Sequence, residues 1–254
     1  MNTIIYLLFF ITGSVVSNNA MEIKEDTIIK YNGIRSDSEA TEVALNYLGF
    51  NQKRDDLLID SILIECDKIR MTDTTTPFLR GKIDGRTSWS VKISNIVCKL
   101  KENKPDINIM SPAHLCIYLD SANGLPLKVL YKSKHQIERE PTANESEKLL
   151  GVCGEEYVDL PNIPPLISFW NALNRCDYYP GMAKEIIANY VLYKQKHYTE
   201  ARPAWIIYMR GLPPISLRED VPLQYRTNMR YVIDAENGVE LWRNNMPYPL
   251  INED

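Results

Sequence analysis

Three histidines (His114, His135, His197), five cysteines (Cys66, Cys98, Cys116, Cys153, Cys176) and the acidic group Glu155, Glu156 and Asp159 are where this 254-residue sequence could carry acid–base, thiol or metal chemistry. A zinc site needs thiolates or imidazoles in tight pairs. No CxxC occurs, and no histidine has a ligand partner at a fixed short spacing. Glu155 and Glu156 are adjacent charges in a charged stretch, a pattern that usually marks a solvated face rather than a general acid and base. GxSxG, HExxH, GxxxxGK[ST] and GxGxxG are all missing from the sequence, which removes the hydrolase, metalloprotease and nucleotide-binding templates. The sequence therefore predicts no catalytic residues, no metal, no cofactor and no enzyme activity.

One pattern does recur. DSANG spans Asp120 to Gly124 and DAENG spans Asp234 to Gly238. A helix-loop-helix calcium site needs oxygen ligands at positions 1, 3 and 5, glycine at 6 and glutamate at 12. Counted from either aspartate, glycine falls at position 5, and Tyr131 or Asn245 occupies position 12. The template fails twice. Aspartate accepts from turn amides, and Asn-Gly supplies the positive φ that a tight hairpin requires. Asp120, Asn123 and Gly124, with Asp234, Asn237 and Gly238, are thus read as structural turns.

The flanking segments supply the arms. Trp89, Val91 and Ile93 alternate with Ser88, Ser90 and Lys92 in TSWSVKIS, the period-two pattern of a strand with one packed and one wet face. HLCIYLD and LPLKVLY flank the first corner; AWIIYM precedes the second, within MRYVIDAENGVELWR. Ahead of the first set, SDSEATEVALNYLG has Ser36 and Glu39 at capping-box spacing, an apolar stripe and a closing Gly49, so a helix is predicted. In the second half, Pro180 followed by Ala183, Ile186, Ile187, Tyr190 and Val191 reads as a helical stripe. LISFWNALNRC, from Leu166 to Cys176, reads as a further helix. Trp89 and Trp205 stand at matching offsets from the two corners, which argues for a duplicated unit.

Composition narrows the class. Net charge is −4, with Lys and Arg scattered, so the basic stripe needed for nucleic acid is missing and no nucleic-acid partner is expected. The opening residues carry an apolar run from Ile4 to Ile11, then small residues, as a cleaved secretory signal does. Cleavage is expected after Ser17 or Ala20, leaving a secreted or periplasmic chain with no stable membrane span. In such a compartment Cys98 with Cys116 and Cys153 with Cys176 could pair; the alternative is buried thiols on strands.

A helix, a Trp-bearing strand and a hairpin reading Asp-Ala/Ser-x-Asn-Gly together resemble the PepSY domain of peptidase propeptides. The matched stretches are Trp89 to Val91 with Tyr118 to Leu125, and Trp205 to Ile207 with Tyr231 to Val239. The resemblance implies an α+β fold of two similar units, each a helix packed on a curled antiparallel β-sheet. Residues 1–20 would be the signal, 32–135 the first PepSY-like unit, 136–161 a linker and 162–250 the second unit. It also implies a non-catalytic protein-binding module with a peptidase or another envelope protein as partner. The alternative is a small-ligand carrier holding an apolar molecule on the concave sheet faces against Trp89 or Trp205.

Overall fold

The computed structural model describes residues 33–51, 57–72, 80–98, 112–133, 155–178, 180–195, 200–212 and 227–247. Helix α1 (Asp37–Leu48) starts where the sequence says it should. The Ser36 hydroxyl accepts from the Glu39 amide, and Gly49, at φ 79°, closes the helix in the left-handed region. Its buried face is Ala40, Val43, Ala44, Tyr47 and Leu48. Strand β1 (Leu57–Arg70), the short helix α2 (Arg80–Ile83), β2 (Thr87–Cys98), β3 (Pro112–Asp120) and β4 (Pro126–Ser133) follow. Then come β5 (Glu155–Asp159), the short helix α3 (Phe169–Leu173), a single 3-10 turn at Pro180–Met182, β6 (Glu185–Gln195), β7 (Arg202–Leu212), β8 (Thr227–Asp234) and β9 (Glu240–Pro247).

The nine strands form one antiparallel sheet in the order β1-β2-β3-β4-β6-β7-β8-β9, with β5 also paired to β6. This corrects the expectation of two helix-plus-sheet units. β4 pairs directly with β6, from Val129 opposite Ala188 to Lys132 opposite Glu185, so the sheet is continuous through the middle of the chain. One core lies beneath α1 and α3: Phe50 of the first half meets Trp170 of the second at 5.6 Å between ring centroids, and Phe169 meets Trp205 at 5.9 Å. Apart from α1, the described helices are only four and five residues long, and the architecture is dominated by strand.

The chief source of the error is β6, which the apolar stripe from Ala183 to Val191 had placed in a helix. Ile186, Ala188 and Tyr190 join the core under the helices, while Val191 and Tyr193 join a second apolar cluster. Every residue from Glu185 to Val191 is buried. A strand covered on both faces is nearly uniform in hydropathy, and its apolar positions then match a helical period by accident. Strand β2 gives the same lesson: Trp89, Val91 and Ile93 face the core as predicted, but Ser88 and Ser90 are buried too, so the second face does not simply meet water. The helix read over Leu166 to Cys176 is shorter. Ser168 caps it, and Leu166 precedes it as an exposed residue.

Candidate functional site at the strand fork

The two corners are built alike. In the first, Asp120 Oδ1 accepts from the Ala122 amide at 2.9 Å, Asn123 Oδ1 accepts from the Leu125 amide at 3.0 Å, and Gly124 has φ 72°. In the second, Asp234 Oδ1 accepts from Glu236 at 2.8 Å, Asn237 Oδ1 accepts from Val239 at 2.9 Å, and Gly238 has φ 74°. Trp89 pairs with Leu119 and Trp205 with Ile233, each one residue before the corner aspartate. Both indoles are buried, and each donates to the chain that leads into a helix: Trp89 Nε1 to the Ile34 carbonyl at 3.3 Å, Trp205 Nε1 to the Ile167 carbonyl at 2.9 Å. The corners clamp the same segments, since the Ile34 amide donates to Ser121 O and the Ile167 amide to Ala235 O. The two tryptophans are therefore placed in the core, as struts between sheet and helix, rather than on a surface open to a ligand.

Each corner aspartate also receives an arginine. Arg86 Nη1 donates to Asp120 Oδ2 at 2.6 Å, and Arg202 Nη1 approaches Asp234 Oδ2 at 3.5 Å. Both arginines stand three residues before a tryptophan, in Arg86-Thr87-Ser88-Trp89 and Arg202-Pro203-Ala204-Trp205. This repeated Arg-x-x-Trp spacing is the sequence signal that would have exposed them; the corner motifs alone do not.

Around the first corner the elements leave a cleft of ≈ 450 Å³, within the size range of small-ligand sites. It exists because two strands share one edge of β6. β4 is paired with β6 from Lys132 to Val129, whereas β5 is paired with the far end of β6, from Asp159 opposite Leu192 to Glu155 opposite Gln195. Between them Asn189 Nδ2 donates to the Leu127 carbonyl at 3.1 Å, holding the start of β4 as it departs. Leu125, Pro126 and Leu127 from one branch of this fork, with Leu160 and Pro161 after the other, supply the apolar lining.

The charged rim comes from α2 and the segment after it. Lys82 Nζ lies 3.0 Å from Asp159 Oδ1. Arg86 is fixed at two points, its Nε on the Lys82 carbonyl at 2.5 Å and its Nη1 on Asp120. Asn123 and Asn162 add amides. Cations and carboxylates of the protein thus stand over apolar residues that are mostly buried, so the surface the cleft offers is mainly polar and can hold a polar chain by hydrogen bonds and charge.

The other chemistry-bearing residues do not converge here, Asp159 excepted. Glu155 and Glu156 stand on β5. His114 is exposed on β3 with Nδ1 3.1 Å from Ser94 Oγ, while His135 and His197 lie outside the described residues. Cys66, Cys116 and Cys176 carry free thiols, so neither pairing considered from the sequence forms. Cys116 sits opposite Lys92 and Cys98 opposite Leu57; six residues of strand, about 20 Å, separate Cys98 from the rung that Cys116 occupies. Cys153 lies outside the described residues. Burial is the main cause that pushes the Cys66 thiol up to about 11, and burial likewise raises Cys116 and Cys176, so all three are protonated near neutral pH and are weak nucleophiles. Among the described residues no group of three or more His, Cys, Asp or Glu is placed to hold a metal ion, and no helix is long and apolar enough to cross a membrane. The signal segment lies outside the described residues. Comparison with known proteins finds no matching family model, no similar curated protein and no similar solved structure.

Proposed function

We propose that this chain is an exported, non-catalytic binding module whose partner is another protein, engaged through a short segment that enters the fork cleft. The observation that carries the reading is the cleft itself: charges of both signs, already paired with one another, line a mainly polar cleft where two strands diverge. Peptide recognition needs hydrogen-bonding groups for the main chain. The resemblance to peptidase propeptide domains makes an envelope peptidase the partner class to try first.

The test is retention. The purified chain is immobilised, challenged with extract of its own cell envelope, and what it holds is identified by mass spectrometry. The expected result is one stoichiometric protein that is lost with Lys82→Glu and recovered when Asp159→Lys is added to restore the ion pair with its polarity reversed. Retention that ignores the charge at Lys82, or of a small molecule with no protein, would overturn the reading.

A further inference from the structure

The cation and the carboxylate at the first corner are not equally available. Asp120 is nearly inaccessible, its side chain 4% exposed, and each of its oxygens already accepts a protein hydrogen bond. Arg86 is the reverse: its side chain is 42% exposed. A guanidinium has five donors in a planar fork. In Arg86 one of these is on the Lys82 carbonyl and one on Asp120, and Nη2 has no hydrogen-bond partner among the described residues. The two anchors hold the plane of the group, so binding an anion costs little further loss of side-chain freedom. Lys82 brings a second positive charge to the same rim, where it is paired with Asp159. The Asn123 side-chain oxygen is occupied by the Leu125 amide, which leaves its amide nitrogen as a further donor. Leu125, Pro126, Leu127 and Pro161 close the cleft beneath these donors but are themselves buried, so polar groups dominate the surface it offers. The second corner lacks this preparation, because Arg202 reaches its aspartate only at 3.5 Å.

We infer that the fork cleft is a receptor for a carboxylate, with Arg86 as the anion-binding residue; resting on the protein-binding reading above, the carboxylate is the C-terminal one of a partner chain. A free small acid shares this chemistry, and the experiment separates the two sources.

Binding to the full chain is measured by calorimetry, at one fixed ionic strength, for three probes: acetyl-Ala-Ala-Leu as the free acid, the same peptide as its C-terminal amide, and N-acetylleucine. The acid is expected to bind at least about tenfold more tightly than the amide, the worth of one charge-assisted hydrogen bond. In Arg86→Lys, which keeps a positive charge on Asp120 but lacks the second nitrogen, that preference should narrow. The comparison of acid with amide uses the unaltered protein, so it stands even if the variant folds poorly. Equal affinity for acid and amide would overturn the carboxylate inference while leaving the protein-binding reading intact. N-acetylleucine binding as tightly as the tripeptide acid would keep the carboxylate site and overturn the peptide source. Failure of all three probes to bind overturns the inference, whereas the protein-binding reading falls only if envelope retention also fails.

Discussion

The two corner ion pairs form an internal comparison in which the strand setting is the same and the geometry differs. Arg86 and Asp120 are 2.6 Å apart, Arg202 and Asp234 3.5 Å, and both aspartates are buried while both arginines are about half exposed. A charge-assisted N–H···O bond has a length of about 2.7–2.9 Å, so only the first pair is a tight one. Hydrogen bonds to charged groups contribute about 1.5–3 kcal/mol, and exposure of one partner pulls the value toward the 0.2–1 kcal/mol typical of surface pairs. The expected coupling is therefore about 1.5 kcal/mol at the first corner and about 0.5 kcal/mol at the second. Two double-mutant cycles, Arg86→Met with Asp120→Asn and Arg202→Met with Asp234→Asn, isolate these terms. Asparagine keeps the side-chain oxygen that accepts from the turn amide, so the cycle reports the ion pair and not the turn. Urea unfolding followed by tryptophan fluorescence is the assay, since Trp89 and Trp205 are buried. A difference of about 1 kcal/mol corresponds to roughly 0.5 M in the midpoint at a slope near 2 kcal/mol/M. Equal couplings, or a larger one at Arg202, would refute the claim that the first corner holds its arginine more firmly.

Gly33 and Gly85 both have φ near +80°, but a side chain would meet different neighbours. A Cβ at Gly33 would come within 3.0 Å of the Ala122 carbonyl oxygen, which is backbone, whereas at Gly85 the nearest atom is Arg70 Nη2 at 3.4 Å, the mobile end of a side chain. Gly33→Ala should cost about 2–3 kcal/mol and Gly85→Ala about 1 kcal/mol; a thermal melt that ranks them equally counts against the close packing of the Gly33 loop on the corner. Cys66 gives a pH signature. Its thiol is raised from 9.0 to about 11, first by burial and then by Asp37, so above pH 9 the unfolded chain loses this proton more readily than the folded one. Its contribution to stability is complete below pH 9 and is lost as the pH rises toward 11. Alkylation of Cys66 in a variant lacking the other cysteines should stay slow at pH 8 and accelerate up to about pH 11; full reactivity already at pH 9 would show that the thiol is not shielded.

The corners were legible because their chemistry is local. Asp120, Asn123 and Gly124 make hydrogen bonds within a few residues of themselves, and the sequence alone carries that information. Helix α1 was legible for the same reason, through Ser36 and Gly49. What could not be read depends on partners distant in the chain. Whether Ile187 and Val191 belong to a helix stripe or to the far face of a strand is decided by what covers that face, and the second cluster is gathered from Met71, Ile83, Leu127 and Ile206. The cleft was illegible as well: Lys82 and Arg86 acquire meaning only when Asp159 arrives beside them at the end of β5. Only the Arg-x-x-Trp repeat offered a foothold, and it links each arginine to its corner without revealing that the first corner adjoins a fork.

That fork depends in turn on the seam between the two halves, and the seam is marked by charge. Lys132, Glu185 and Arg210 form one rung across β4, β6 and β7. Glu185 is bound to Arg210 and lies 3.6 Å from Lys132 Nζ, while both Glu185 and Arg210 are almost wholly buried. Because successive strand residues face opposite sides, a slip of one residue at β6 would turn Glu185 into the apolar core beneath the helices and strand Arg210 without its carboxylate on the other face. Apolar contacts alone would not forbid that slip, since β6 presents apolar residues to both sides. The rung therefore selects a single register for β4 on β6. In that register Asn189 lies where it can hold the Leu127 carbonyl, β4 must leave the edge at that point, and β5 takes the remaining length. The cleft beside Arg86 is thus a consequence of how the two halves are joined, and it has no reason to recur at the second corner, which lies away from the seam.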